Sequence, residues 1–262
     1  MPVIKIDSAR CKKDSLCIVE CPHLLFTQQP DGTAQPVPEA DAHCIDCGHC
    51  IAICPANAIS LDGIDSEGCE PVQRDLAVSP AQVRQLLRSR RSIRTFKQQP
   101  LERSKVEELI DISRWAPTAR NMQPVCWLVL EQPHIAALSE LVIAWMRESN
   151  LLPEVVQMYD SGVDIIHRQA PCLLIAHTHQ SALIPHVDCT IALSAIETAC
   201  QPMGLGACWA GFLMMAAKNS ATVAEYLQLP EGHTMQGALM LGIPAYRYKR
   251  IPPRKKSIIS WR

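Results

Sequence analysis

The chain has 262 residues, with 25 Lys and Arg against 26 Asp and Glu and a formal net charge of −1 at pH 7. Because the basic residues are spread along the chain, this balance argues against a protein that binds nucleic acid or an anionic membrane surface. The N-terminus lacks the apolar segment of an export signal, and no later stretch reaches the roughly 18 uncharged apolar residues of a membrane span. We therefore expect a cytoplasmic protein built from a small module and a domain of ordinary size.

The chain contains 13 cysteines, which in the absence of an export signal indicate metal or redox chemistry rather than disulfides. Seven of them fall within the first 54 residues. Five others lie singly in apolar surroundings, and we expect them to be buried small hydrophobic residues. These five are Cys126, Cys172, Cys189, Cys200 and Cys208.

The most specific pattern lies in residues 44–55, which read C-x2-C-x2-C-x3-C-P. In bacterial ferredoxins the first three cysteines of this run hold one iron–sulfur cluster and the fourth ligates the other cluster. A second run with the same spacing occupies residues 11–22, with Asp14 in the place of the second cysteine. Structural zinc is the alternative, but zinc sites pair two separated C-x2-C knuckles and have no use for the trailing C-P.

Residues 1–62 thus resemble the two-cluster ferredoxins, and the resemblance implies a crossed ligand pattern. One 4Fe-4S cluster would be held by four thiolates, those of Cys21, Cys44, Cys47 and Cys50. The other, a 4Fe-4S or 3Fe-4S cluster, would be held by Cys11, Cys17 and Cys54, with Asp14 at its fourth corner. His43 and His49 occupy spacer positions, where we expect solvated side chains.

Residues 63–78 contain two glycines, a proline and mixed charge without a clear period, which predicts a linker. Cys69 lies in this segment. We interpret it as an incidental thiol, with a replacement ligand for the incomplete cluster as the alternative.

The second half of the chain begins with Ser79-Pro80, which predicts a helix with a serine N-cap and a proline in its first position. This helix leads to a basic segment at residues 90–96, which alone fits either a solvated helix end or an anion site. An amphipathic helix is predicted over 101–115, followed by A-P-T-x-x-N-x-Q-P at 116–124 and a strand over 125–130. Further blocks are a helix at 134–147, a strand at 171–176, a small-residue helix opened by Asp188 and ending near 203, an apolar segment at 237–244 and a basic segment at 253–256.

These blocks, in this order, resemble the nitroreductase family over residues 79–262. The resemblance implies an α+β fold that binds FMN at the interface of an intertwined homodimer, so the predicted chain is a ferredoxin-like module followed by an FMN-binding nitroreductase α+β domain. It assigns the flavin phosphate and ribityl end to basic side chains, namely Arg90 or Arg91, Arg94 and Arg254, with Lys255 close by. It assigns the polar groups of the flavin to Ser92, Asn121 and Gln123, and close backbone approach to Gly204, Leu205 and Gly206.

Several of these residues also have a purely structural interpretation. Gln123 could turn the chain before a proline, and Gly204 is equally suited to end a helix. Asp188 is interpreted as a helix cap rather than an acid. His177 and His179 would project to one side of a strand, but the sequence shows no third metal ligand near them.

The expected function is an enzyme whose chemistry is centred on the flavin, without a catalytic side chain. Electrons would come from an external donor, of ferredoxin type or NAD(P)H, pass through the clusters and FMN, and reduce a small conjugated acceptor such as a nitroaromatic, quinone or enone. One alternative is a redox sensor or electron-transfer adaptor that acts on a protein partner without small-molecule turnover. A further alternative is a specialised ring or halide chemistry of the substrate.

Overall fold

The computed structural model describes residues 3–262, and these form two compact units. The first unit contains residues 3–77 together with Arg120–Met122. The second contains Val78–Ala119 and Gln123–Arg262. No helix within the described residues is both long enough and apolar enough to cross a membrane.

The first unit is built from short elements around two small antiparallel sheets. Its strands are Lys5–Ile6 (β1), Phe26–Gln28 (β2), Ala34–Pro36 (β3) and Ile59–Ser60 (β4), paired as β1 with β4 and β2 with β3. Its helices are Leu16–Glu20 (α1), Ala40–His43 (α2) and His49–Ile53 (α3). The core includes Ile4, Leu25, Phe26, Ile51 and Ile59 together with the buried cysteines.

The second unit contains one four-stranded sheet and seven helices among the residues described. The strands are Cys126–Glu131 (β5), Cys172–His179 (β6), Gly206–Trp209 (β7) and His233–Gly242 (β8), in the all-antiparallel order β5-β6-β8-β7. The helices are Pro80–Ser89 (α4), Arg103–Ser113 (α5), His134–Glu148 (α6), Pro153–Asp160 (α7), Pro185–Cys200 (α8), Gly211–Asn219 (α9) and Ala221–Tyr226 (α10).

Two hydrophobic clusters cover the two faces of this sheet. Leu173 and Ile175 of β6 belong to the cluster that also contains residues of α6, α7, α9 and α10. Leu174 and Ala176 point to the other face, where residues of α5 and α8 pack. Because successive residues of a strand face opposite sides, β6 is buried on both faces and anchors the unit.

The helices and strands predicted for the second unit are found, with shifted ends, whereas α7, β7, α9 and α10 were not predicted. Ser79 accepts the backbone N–H of Gln82, and the Gln82 side chain in turn accepts the backbone N–H of Ser79, so the predicted N-cap is confirmed as a capping box. The small-residue helix α8 begins at Pro185, three residues before Asp188. The interpretation of Asp188 as its N-cap is therefore wrong, because Ile184 occupies that position.

One of the five isolated cysteines also departs from the prediction. Cys172, Cys189, Cys200 and Cys208 are buried, as expected, but Cys126 is exposed. Cys126 is the first residue of β5, and β5 is an edge strand of the sheet. Apolar sequence neighbours do not guarantee burial at the end of an edge strand.

Candidate functional site

Four thiols of the first unit converge on one cavity. Its lining includes Cys21, Cys44, Cys47 and Cys50, with Ile4, Leu25 and Phe26 behind them. Burial raises the pKa of the Cys50 thiol to about 12, and the neighbouring thiols of Cys47, Cys44 and Cys21 raise it as well. A free thiol there stays protonated, whereas a bound cationic metal centre would displace the proton.

A second cavity is lined by the remaining ligand candidates, namely Cys11, Asp14, Cys17 and Cys54. Burial raises the pKa of Cys17, and the charges of Cys54, Cys11 and Asp14 raise it further. Cys21 and Cys54, the last cysteine of each run, have thus exchanged places: each lies with the cysteines of the other run. This crossed arrangement is the one that the resemblance to two-cluster ferredoxins implies.

The backbone around both cavities repeats at an interval of 33 residues. Left-handed residues occur in pairs at Lys13 and Asp46, Ser15 and Gly48, and Leu24 and Asn57. The repeat extends to the sulfur atoms, because the backbone N–H of Leu25 donates to Cys21 Sγ and that of Ala58 donates to Cys54 Sγ, each at 3.4 Å. Thiols that converge and accept backbone N–H groups fit the binding of an iron–sulfur cluster in each cavity.

The side chains with open interpretations in this unit lie as follows. Asp14 lines the second cavity, and its Oδ1 accepts the backbone N–H of Leu16 at 3.2 Å. Cys69 is exposed and lies in the lining of neither cavity. His43 and His49 are exposed, as expected for spacer residues. Asp14 is therefore better placed than Cys69 to complete the second ligand set.

In the second unit, Arg90 at the end of α4 is already paired. Its Nη1 donates to Glu197 Oε1 at 2.8 Å, and the two side chains are 25% and 13% exposed. The other carboxylate oxygen, Glu197 Oε2, accepts the indole N–H of Trp209 at 3.3 Å. Arg90 thus fastens α4 to α8 and β7, a role that the sequence did not reveal.

Arg94 is held in a different environment. The segment around it is fixed by backbone bonds, in which Ile93 N–H donates to Ala207 O at 2.9 Å and Lys97 N–H donates to Ile243 O at 2.8 Å. Arg94 is exposed, and it pairs with no carboxylate within residues 3–262. A fixed backbone that presents an unpaired guanidinium is suited to bind an anion.

Arg168, a further arginine of this region, was not among the residues predicted from the sequence. Burial raises the pKa of the Cys208 thiol, whereas the positive charges of Arg94, Arg168 and Arg90 lower it. All three guanidinium groups therefore act on one neighbourhood. Glu197 acts on the same thiol and neutralises Arg90, whereas Arg168, like Arg94, has no carboxylate partner among the described residues. No motif marks Arg168, and only its charge could have drawn attention to it.

The predicted glycine segment is explained by packing. Leu205 N–H donates to Cys200 O at 2.8 Å and Gly204 N–H donates to Gln201 O at 3.1 Å, with Gly204 at φ +72°. These bonds form the Schellman arrangement that ends a helix. A Cβ on Gly206 would lie 2.5 Å from Ile93 Cγ1, so a larger residue there would displace the basic segment. The contact of Gly204, Leu205 and Gly206 with FMN stays a prediction.

The loop at 117–124 has an unusual backbone. Arg120, Asn121 and Gln123 have φ values of 50°, 53° and 48°, a left-handed conformation that non-glycine residues adopt at a cost of order 1–3 kcal/mol each. In the second unit this loop is held by Asp188, whose Oδ1 accepts the N–H of Ala119 at 3.0 Å, and by Thr118, whose Oγ1 accepts the N–H of Gln123 at 2.9 Å. Gln123 and Thr118 both line a cavity beside α5.

Two polar groups near this loop have further consequences. Asp188 Oδ2 is buried and has no hydrogen-bond partner within residues 3–262. A bound ligand that donates a hydrogen bond to this oxygen would satisfy it. In the first unit, Nδ2 of Asn121 donates to the carbonyl oxygens of Ile45 at 3.2 Å and Asp46 at 3.0 Å. Its role toward the flavin stays a prediction.

The remaining predicted cofactor residues lie in partly exposed or exposed positions. Arg91 and Ser92 are half-buried next to Ile93. Arg254 and Lys255 are exposed in the stretch after β8, which forms no regular element from residue 247 onward.

Comparison with known proteins agrees with both units. A family model described as the nitroreductase family matches residues 87–243, and one described as a 4Fe-4S dicluster domain matches residues 3–55. A protein of Methanothermobacter thermautotrophicus, provisionally described as an NADH dehydrogenase/NAD(P)H nitroreductase, is 24% identical over 178 residues, which are 66% of this chain and 83% of that protein.

Solved structures share the fold of the second unit. A nitroreductase with bound FMN from Desulfitobacterium hafniense aligns with a TM-score of 0.57 at 17% identity and covers 70% of this chain and 100% of that chain. A nitroreductase with bound FMN from Bacteroides fragilis gives 0.56 at 18% identity and covers 68% and 99%. The predicted fold class, α+β with an N-terminal two-cluster ferredoxin-like module, is confirmed. The nitroreductase family model matches more than half of the residues of this chain. The chain therefore belongs to the nitroreductase family, with a 4Fe-4S dicluster domain at its N-terminus.

Proposed function

We propose that this chain is an FMN-dependent oxidoreductase that receives electrons through two iron–sulfur clusters and reduces a small conjugated acceptor. The observation that carries the proposal is the crossed convergence of the cysteines, with Cys21 beside the second run and Cys54 beside the first. The two cysteine sets suit one-electron carriers, and they share a chain with a nitroreductase domain. Joining the two modules raises their effective concentration, which favours electron transfer from the clusters to the flavin.

The two cavities support the following assignment of ligands. Cys21, Cys44, Cys47 and Cys50 would hold a 4Fe-4S cluster. Cys11, Cys17 and Cys54 would hold the second cluster, with Asp14 or solvent oxygen at its fourth corner. A carboxylate is a harder ligand than a thiolate and holds a soft-ligand cluster less firmly, so the iron beside Asp14 would be the labile one.

The flavin would be held by the second unit. When bound, FMN supplies the conversion between one-electron and two-electron transfer that a conjugated acceptor needs. Arg94 is the leading candidate for the phosphate because it is exposed and unpaired among the described residues, with Arg168, Arg91, Arg254 and Lys255 as further cations. Arg90 would support the fold instead, since Glu197 already neutralises it.

The polar part of the flavin would be bound by neutral side chains. Ser92 and Gln123 offer a hydroxyl and an amide. Asn121 is assigned to the flavin by resemblance alone, because its amide nitrogen donates to the carbonyl oxygens of Ile45 and Asp46 in the first unit. The loop that carries Asn121 and Gln123 is fixed by Asp188 and Thr118, which supports the binding of a rigid ligand because less conformational entropy is lost on binding. No side chain is proposed as a catalytic acid or base.

The donor and acceptor are proposed by chemical class. The donor would be a ferredoxin-type protein or NAD(P)H, and the acceptor a nitroaromatic, quinone or enone. By resemblance to the nitroreductase family, the assembly would be a homodimer, which light scattering of the purified chain tests directly.

The experiment is anaerobic purification of the full chain, with iron, sulfide and flavin quantified per chain, followed by a screen of acceptors. We expect about seven to eight iron atoms and about one FMN per chain. Reduced protein should then be reoxidised by at least one acceptor at a rate that saturates with acceptor concentration. Reoxidation that never saturates would instead indicate an electron-transfer protein without small-molecule turnover, and a chain with neither iron nor flavin would refute the proposal.

A further inference from the structure

Three side chains with metal-ligating atoms meet at one end of the sheet in the second unit. Cys126 is the first residue of β5, His177 lies near the end of β6, and His233 is the first residue of β8. Their ligand atoms all lie within 4.8 Å of one another. The sequence alone left His177 without a third ligand, because its two partners come from strands that are distant in the chain.

The strand register explains why these side chains share a face. Cys126 is directly opposite His177, and His233 is directly opposite His179, two residues beyond His177 on the same strand. Residues opposite each other, and residues two apart, point to the same face of a sheet. A register shift lies between Ala176 and His177, and such irregularities re-aim side chains at the ends of strands. The group is therefore positioned by three adjacent strands and not by a loop.

The chemistry of the three side chains is specific. His177 Nδ1 and His233 Nδ1 lie 2.9 Å apart, so in the metal-free state one ring donates a hydrogen bond to the other. His177 is only 5% exposed, whereas the Cys126 thiol is exposed and gives access from solvent. One thiolate and two imidazoles are a donor set that suits zinc, and three protein ligands leave a fourth position for water.

We propose that Cys126, His177 and His233 form a binding site for a zinc-type divalent cation, built from none of the side chains proposed to bind the clusters or FMN. Tetrahedral zinc places two imidazole nitrogens about 3.3 Å apart and a sulfur about 3.6 Å from each nitrogen. The two ring nitrogens, which lie 2.9 Å apart, must therefore separate by about 0.4 Å. The Cys126 sulfur, which lies at most 4.8 Å from them, must move inward by up to about 1.2 Å, which side-chain rotation can provide.

Proton balance follows from the same geometry. If both rings bind through the Nδ1 atoms that face each other, each keeps a proton on Nε2, and the hydrogen-bonding proton between them moves to one Nε2. The Cys126 thiol releases its proton to solvent. Binding of one zinc ion at neutral pH thus releases one proton.

His179 is not part of this group, because its ligand atoms do not lie within 4.8 Å of those of all three members. Its ring centroid lies 5.6 Å from that of His233, but its Nδ1 accepts the Ser181 N–H at 3.1 Å and lies 2.7 Å from Ser181 Oγ. It supports the His233 ring from the side and leaves the fourth position open.

The test uses the full chain with its clusters and flavin, equilibrated anaerobically with Zn²⁺ and a competing chelator. The variants are Cys126→Ser and His233→Gln. The matched controls are Cys69→Ser, which removes another exposed thiol, and His186→Gln, which removes an exposed histidine from the cleft that His233 also lines. Bound zinc is measured by elemental analysis, and its ligands by zinc X-ray absorption.

We expect about one zinc per chain, with one sulfur and two imidazole neighbours, in the natural chain and in both controls. Cys126→Ser should lose the sulfur neighbour, and both site variants should bind zinc at least about tenfold more weakly. Equal affinity in the variants, zinc surrounded only by sulfur, or no zinc in the natural chain would each overturn the proposal. Because serine is nearly isosteric and Cys126 is exposed, the variant should keep its flavin and iron. The zinc site also stands or falls independently of the proposed electron transfer.

Discussion

The contrast between Arg90 and Arg94 leads to a prediction that separates structural support from cofactor binding. Arg90→Ala leaves Glu197 without its cation in an environment where the carboxylate side chain is 13% exposed. Breaking a fully buried ion pair costs about 3–5 kcal/mol, and breaking an exposed one costs about 0.2–1 kcal/mol. The partial burial of this pair places the expected loss of stability between these limits, at about 2 kcal/mol.

For a domain of this size, a loss of about 2 kcal/mol corresponds to a decrease of about 4–8 °C in the unfolding temperature. Tryptophan fluorescence of the flavin-free chain is the suitable measurement, because all five tryptophans lie in the second unit and Trp209 donates to Glu197 itself. FMN must be absent because a bound ligand stabilises the native state and would mask the effect. Arg94→Ala, which removes an exposed arginine without a carboxylate partner among the described residues, should leave the unfolding temperature almost unchanged.

For flavin affinity the two variants should rank in the opposite order, with Arg94→Ala affected more than Arg90→Ala. Arg94→Ala should cost about 1.5–3 kcal/mol of FMN affinity, or one to two decades in Kd, and should barely change riboflavin affinity, because riboflavin has no phosphate. Arg90→Ala should change FMN affinity little. Adding Glu197→Gln to Arg90→Ala should restore part of the stability, because a neutral amide does not need a cation. An Arg90→Ala chain that unfolds at the original temperature and loses as much FMN affinity as Arg94→Ala would refute this reasoning.

Two further predictions concern Asp14 and His167. Asp14→Cys should abolish the electron paramagnetic resonance signal of an oxidised three-iron cluster that we expect the natural chain to develop in air, whereas Cys69→Ser should leave it unchanged; a natural chain that stays silent until Cys69 is removed would contradict the role of Asp14. His167 is fully buried with Nδ1 2.7 Å from Ser139 Oγ, and burial lowers its pKa to about 4. The unfolded chain, with a pKa of about 6.5, binds a proton that the folded chain does not, so stability should fall as the pH drops from about 6.5 to about 4, by about 1.6 kcal/mol between pH 6.5 and pH 5. Chemical denaturation of His167→Gln should lack this component, and an identical pH dependence in both chains would show that His167 is not its source.

The parts of the site that depend on local spacing were predictable from the sequence. Three cysteines within seven residues, Cys44, Cys47 and Cys50, have few ways to bind except around one centre, and the capping box of α4 needs only Ser79 and Gln82. The crossed positions of Cys21 and Cys54 required the ferredoxin resemblance, and the cavities of the first unit agree with it.

The parts that depend on tertiary contacts were not predictable. Arg90 and Glu197 are far apart in the chain, so a run of arginines gave no sign that one of them is neutralised. Aspartate is a residue type that often caps helices, but Asp188 instead accepts a hydrogen bond from the backbone N–H of Ala119 and holds the loop there. The exposure of Cys126 and its approach to His233 follow from the strand order β5-β6-β8, which no local pattern encodes.

The central claim is that electrons reach FMN through the clusters of the same chain. The most direct test is rapid mixing of the full, FMN-loaded chain with a reduced ferredoxin-type donor, with flavin reduction followed by absorbance. Variants Cys17→Ala and Cys21→Ala each remove a proposed ligand of one cluster, and Cys69→Ala is the control for loss of an exposed cysteine. The account predicts that the natural chain and the control reduce their flavin at the same rate, whereas both cluster variants keep FMN but reduce it at least about tenfold more slowly. Flavin reduction at an unchanged rate in variants that lack a cluster would contradict the account.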